Sequence, residues 1–140
     1  MAERGIEHRR IEDIETISGV LEGVSIVRVA SDLGVSAFGI SIVDMEAGAE
    51  DYPEHDHSPE GMGGDMFAKR PEQLGQEEVY VALRGSGTVE TEEAEYPLDA
   101  DHIVRVGPEV KRKITPGSEG LRLLAIGAIP GEAYGAAAQK

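Results

Sequence analysis

The sequence predicts a single all-β domain of short strands, and three observations carry that reading. Glycine and proline are abundant, 18 and 7 of 140 residues, and scattered rather than tandem, which favours tight turns between short elements. Runs rich in β-branched residues recur at close intervals from Val24 onward. No stretch keeps a helical period for long, and no solenoid repeat is present. A chain of this length buries roughly two-thirds of its unfolded surface as one domain, enough to fold without a disulfide or structural metal.

The elements follow in order. Ile11, Ile14 and Ile17 stand three apart among acidic residues, a spacing that suggests one or two helical turns or an ordered lead-in arm. Gly19 and Gly23 bracket a turn region around Val20 and Leu21, and residues 24–29 read as the first strand. Residues 31–34 read as a turn. The longest extended candidate covers 38–46, with Phe38, Ile40 and Ile42 on one face and Val43 and Met45 on the other. A strand apolar on both faces is central, or is covered by a second subunit. Residues 48–76 hold three prolines and several glycines and are too irregular for regular structure. Pattern resumes at 78–83, breaks at the glycine turn Arg84-Gly85-Ser86-Gly87, and continues at 88–90. A turn at Glu92-Glu93 leads to a short edge-like strand at 95–98 containing Pro97. Residues 103–106 and 110–115 flank a turn at Gly107-Pro108, and 121–126 form a closing strand. About eight short strands with little helix argue for a sandwich or barrel.

Composition removes several functions. With no cysteine, disulfides, thiolate metal sites and cysteine nucleophiles are excluded. A formal net charge of −14 repels nucleic-acid backbones and anionic membranes, so neither is expected as a partner. The one dense basic run, Lys111-Arg112-Lys113, reads as a solvated strand edge. The charged N-terminus has no apolar run behind it, and nothing approaches the length of a spanning helix, so cytoplasmic residence is expected. No Walker-type or dinucleotide-binding glycine loop occurs. Neither Ser58 nor Ser86 sits in a strand-to-helix elbow that would activate a nucleophile.

Chemistry concentrates at His55-Asp56-His57. Residues i and i+2 of an extended segment share a face, so both imidazoles can converge on one ion, and a nearby carboxylate can complete the set. Taken alone, the pair is equally readable as solvated surface in an acidic loop. The surroundings sharpen it. Gly48, His55-x-His57, then Glu78 and Gly85 with six residues between them, together with the phrase Glu77-Glu78-Val79-Tyr80-Val81-Ala82-Leu83-Arg84-Gly85-Ser86-Gly87, resemble the first motif of the cupin superfamily over roughly residues 38–126. The resemblance implies a cupin double-stranded β-helix, or jelly-roll barrel, with a short N-terminal arm at 1–23. The barrel would occupy 24–130, followed by a loose tail at 131–140. It also implies that Glu78 faces the barrel interior and that His55, His57 and Glu78 are metal ligands.

The chain departs from the family pattern twice. The gap from His57 to Glu78 is unusually long, so a loop is inserted at the barrel mouth over 58–76. Met62, Met66 and Phe67 could make it a lid hinged by Gly61, Gly63 and Gly64, with Lys69 and Arg70 attracting an acidic substrate; the alternative is a loop packed lightly on the surface. In the second motif, Asp101, Gly107 and Glu109 fall at the marker positions, and Arg112 falls where the last histidine ligand belongs. A guanidinium has no lone pair to donate, so the ligand set is one short. Arg112 either pairs with Glu78, grips an anionic ligand, or points outward. His102 more readily lies near an edge than in the site, and Arg105 points either to the cavity or to solvent.

Three functions stay open. One is a metal-dependent oxygenase or isomerase using one divalent ion (zinc, iron, manganese or nickel) on a small polar molecule. The second is a metal-free binding or sensing module in which Arg112, with Tyr80 and Arg105, binds a small-molecule ligand. The third is a non-catalytic dimeric scaffold. Cupins pair through sheet contacts, so the resemblance implies a homodimer, for which the apolar 38–45 strand is suited.

Overall fold

The computed structural model describes residues 5–57 and 75–131. The expected lid residues, Met62, Met66 and Phe67 with their glycine hinges, and most of the expected tail lie outside them. Seven strands are present in the described residues, all antiparallel: β1 (Thr16–Leu21), β2 (Val24–Val27), β3 (Gly39–Met45), β4 (Glu77–Glu90), β5 (Glu95–Leu98), β6 (Ile103–Val106) and β7 (Lys113–Ala128). A 3-10 turn at Ile11–Asp13 precedes β1, and a short helix α1 (Val29–Leu33) lies between β2 and β3. No helix among the described residues is long and apolar enough to cross a membrane.

The pairing order is β1-β2-β3-β7-β4-β5, with β6 also on β4. The two long strands organise it. The first half of β4 pairs with β6 through Glu78–Val81 and with the last part of β7, while its second half pairs with β5 and with Lys113–Pro116 of β7. Val24, Val43 and Met45 from one end of this path share a single core with Val89, Leu98 and Ile114 from the other. The sheet therefore closes on itself around that core, as a jelly-roll barrel does. Val89, Leu98 and Leu123 are completely buried, and each contributes roughly 1.5–3 kcal/mol by leaving water.

A second cluster lies on the outside of the same sheet. Ile42 and Val27 are covered there by Ile14 and Val29, with Ile11, Leu33, Ile40 and Leu124 packed around them. The apolar second face of β3, which suggested a partner subunit, is thus covered in part by the chain's own lead-in segment and α1. β3 is central, between β2 and β7, the other outcome its pattern allowed. On the same outer face Asp44 and Arg122 are direct cross-strand neighbours and form a two-pronged ion pair at 2.7 and 3.1 Å.

Several local expectations are corrected. Ile11–Asp13 does form a helical turn, but Thr16–Leu21 is an edge strand that takes in Val20 and Leu21, so β1 begins inside the segment read as an arm. Residues 31–34 are not a free turn. They complete α1, which ends on Gly34 at φ 72° with its N–H bonded to Ala30 O, the usual left-handed stop. Arg84-Gly85-Ser86-Gly87 is not a hairpin turn either: β4 continues through it, as β7 continues through Pro116–Gly120. The ladder shifts register between Ala82 and Arg84 and between Gly85 and Gly87, so these glycines mark bulges that bend paired strands.

Gly85 shows why the glycine is required. Its φ is +75°, and a Cβ there would lie 2.1 Å from Gly120 O. Gly34 has φ +72° with open space around it. Gly34→Ala should therefore cost about 1–2 kcal/mol, the left-handed penalty alone, whereas Gly85→Ala should cost clearly more because backbone must also move. Urea unfolding of both variants checks this, and equal losses would show that the close β4–β7 approach contributes nothing.

Candidate metal centre

Alternation along β4 places Glu78, Tyr80 and Ala82 on one side and Glu77, Val79 and Val81 on the other. Tyr80 is part of the core and almost completely buried, so Glu78 shares the interior face. The segment carrying the histidines docks against the end of the β6–β7 connection. His55 N–H donates to Arg112 O at 3.0 Å, Arg112 N–H returns a bond to His55 O at 2.9 Å, and His57 N–H donates to Pro108 O at 2.7 Å. Lys113 adds its ammonium to the carbonyls of Glu50 and Tyr52 just upstream.

These contacts bring His55, His57 and Glu78 together, with one ligand atom from each lying within 4.8 Å of the others. His57 Nε2 is 3.1 Å and His55 Nε2 is 3.9 Å from Glu78 Oε1. Both rings are nearly buried, with centroids 5.5 Å apart. His55 Nδ1 lies 3.0 Å from the carbonyl of Pro53. A carbonyl only accepts, so that nitrogen carries the proton, and in a neutral ring Nε2 presents its lone pair to Glu78. Two acceptors facing each other at 3.9 Å repel. A cation between them turns the contact into an attraction, and a carbonyl behind the outer nitrogen is how ligating histidines are oriented. The donor set fits a divalent ion of the two-imidazole, one-carboxylate type.

The same carboxylate oxygen is held from the other side. Arg112 Nη2 donates to Glu78 Oε1 at 3.0 Å, and Tyr80 OH donates to it at 2.5 Å. Arg112 Nε donates to Tyr80 OH at 3.0 Å and Nη1 to Val110 O at 2.7 Å. Arg112 has no exposed surface at all. Burial by itself pushes the Glu78 carboxyl up, but the His55 and His57 imidazoles and the Arg112 guanidinium around it outweigh that and hold the group well below the usual carboxylate range. The Tyr80 and Tyr52 phenols move the other way: burial raises both, and the Glu78 charge raises them further. Both stay protonated at neutral pH.

The residues expected here divide clearly. His55, His57, Glu78, Tyr80 and Arg112 meet. Arg112 points inward and takes the Glu78 pairing that the sequence allowed, so it is not a residue of a solvated basic edge, and its side chain is not open to a ligand. Arg105 is elsewhere: it is the outward neighbour of Val79 across β4 and β6, is mostly exposed, and pairs with Glu77 at 2.7 Å. His102 is exposed and bonded to Asp99, near an edge as expected. Tyr52 is a member that the sequence did not announce. Its ring stands edge-on to His55 at 5.7 Å and packs on the barrel core; a tyrosine three residues before the first histidine was the only signal.

No protein-family model and no curated protein matches the sequence. Solved structures do match the fold. A sugar phosphate isomerase of the cupin superfamily from Silicibacter pomeroyi superposes with a TM-score of 0.65 at 18% identity, over 87% of this chain and 75% of its own. An ectoine synthase from P. lautus gives 0.60 at 14% identity, over 89% and 79%. A predicted oxalate decarboxylase from Thermotoga maritima gives 0.59 at 19%, over 86% and 96%. Identities this low transfer no reaction from any of them, and the three names differ in reaction. What they share with this molecule is the architecture: the chain is a cupin-fold protein.

Proposed function

We propose that this chain is a small metal-dependent cupin in which His55, His57 and Glu78 hold one divalent ion that acts on a small polar molecule, in isomerase or oxygenase chemistry. The observation that carries the reading is the convergence of three donor atoms within 4.8 Å, with the His55 lone pair aimed at the carboxylate. A bound ion of this kind supplies a Lewis acid, or activates water or dioxygen at open coordination positions. The chain's own residues do the rest. Pro53 O fixes the ring of His55, Arg112 and Tyr80 lock Glu78 in one orientation, and Tyr52 closes the side of the site beyond His55. Isomerase and decarboxylase names among the structural neighbours are compatible with such a site.

A second reading has its own observation. The Arg112–Glu78 pair already compensates the carboxylate, so the protein is also intelligible as a metal-free binding module whose polar cluster is structural. The two readings differ in one measurement. Chelator-treated full-length protein, titrated with Zn2+, Mn2+, Ni2+ or anaerobic Fe2+, should take up one ion per chain. His57→Ala should lower the affinity on the order of 100-fold or more while leaving the circular dichroism spectrum unchanged. Stoichiometry far below one in the parent protein would select the metal-free reading.

The pairing itself makes a separate prediction. Arg112→Met should destabilise the metal-free protein by about 3–5 kcal/mol, because it strands a buried carboxylate. Adding Glu78→Gln to Arg112→Met, which removes both charges, should recover most of that loss. Urea unfolding of the single and double variants measures both, and simple additivity would mean that the two side chains do not interact.

A further inference from the structure

The charge inside the centre narrows what can bind there. Arg112 lies 3.0 Å from Glu78, and the pair cancels before any ion enters. The side chains of His55, His57 and Glu78 are only 11%, 9% and 15% exposed and Arg112 is fully buried, so little water is present to screen an added charge. Among the described residues the other acids do not join the donor group. Glu77 faces outward to Arg105. Asp56 is buried but has a partner of its own and is not part of the three-donor group. Tyr52 and Tyr80 are neutral phenols. Within the three-donor group a divalent ion therefore meets no carboxylate that is still uncompensated, in a region of low dielectric where its charge is costly. Where the cupin pattern has a neutral imidazole, this chain adds a cation instead.

Building on the metal-bound reading, we infer that the divalent ion and a small carboxylate anion occupy this site together, and that Arg112 is the positioning residue that couples them. The arginine reaches no ligand directly, since its guanidinium is committed to Glu78, Tyr80 and Val110 O. It acts through charge. With Glu78 neutralised, the ion is held weakly alone, and an anion on its open side restores the balance. Coupling of this kind is reciprocal: the anion tightens the metal by the factor with which the metal tightens the anion. The substrate class follows, a small molecule that presents a carboxylate.

The test is a linkage measurement on the full-length, chelator-treated protein. Mn2+ or Zn2+ is titrated by calorimetry in sodium formate and in sodium perchlorate at equal ionic strength, with correction for formate bound to the free ion. Formate should tighten the metal about tenfold or more. Arg112→Lys, which keeps the charge, should retain the effect. Arg112→Gln, whose shorter amide can keep the bond to Tyr80 without the charge, should bind metal more tightly in perchlorate and lose the dependence on formate. Metal affinity equal in the two salts for the parent protein overturns the inference while leaving metal binding intact. So does a formate effect that survives in Arg112→Gln. Absence of any metal binding removes this inference and the metal-dependent reading together. Should Arg112→Gln fail to fold, the parent protein's response to formate decides alone.

Discussion

A carboxylate inside a barrel has to be answered by something, and in this molecule the answer is Arg112. Glu78 reaches the interior because strand alternation leaves it no other direction. Its charge there is tolerable only with donors on several sides. Arg112 supplies one with its side chain while its backbone forms the two-way bridge to His55. One residue thereby joins three pieces of chain: the histidine segment, the start of β7 and the first half of β4. The position of both imidazoles relative to the carboxylate depends on that junction.

The placement is notable against the composition. The chain carries 13 basic and 27 acidic side chains, yet the largest wholly buried side chain among the described residues is an arginine. A cation can be removed from water at that cost only if its donors find acceptors, and each nitrogen of Arg112 does. Tyr80 sits in the middle of this arrangement as both acceptor from the guanidinium and donor to the carboxylate. It stays a phenol because ionising it would put a second negative charge beside Glu78. Surface pairs such as Arg105–Glu77 resemble the buried one in distance but are screened by water, and pairs of that kind contribute little.

Sequence periodicity made the strands legible because burial on one face of a sheet writes itself as alternation: β2, β3, β5, β6 and the start of β4 are where β-branched and aromatic residues recur. It failed where glycine has two meanings. Gly85 and Gly87 read as a turn, but a glycine that lets another strand approach closely has the same signature as one that reverses the chain. Only the partner strand distinguishes them, and Gly120, which presses on Gly85, is far away in sequence. The site was legible in the same partial way. His55, His57 and Glu78 follow from spacing and resemblance, and the loss of the last ligand at Arg112 follows from residue type. Whether Arg112 turned in or out, whether Arg105 did, and that Tyr52 belongs to the group depend on side-chain directions that a linear pattern does not encode.

The bulges and the site share β4, and this connects the fold to its chemistry. Glu78 and Tyr80 lie before the register shifts, while Val89 lies beyond them. A straight β4 could not keep β6 and the end of β7 beside its first half while its second half pairs with β5 and the beginning of β7. The bend at Gly85 lets one strand serve both. Because β7 follows the same bend, its first residues arrive directly after Arg112, which brings the guanidinium to the carboxylate across the barrel. A substitution that straightened the ladder would therefore disturb the Arg112–Glu78 contact without touching either residue. The left-handed glycine far from the histidines is part of what holds the centre together.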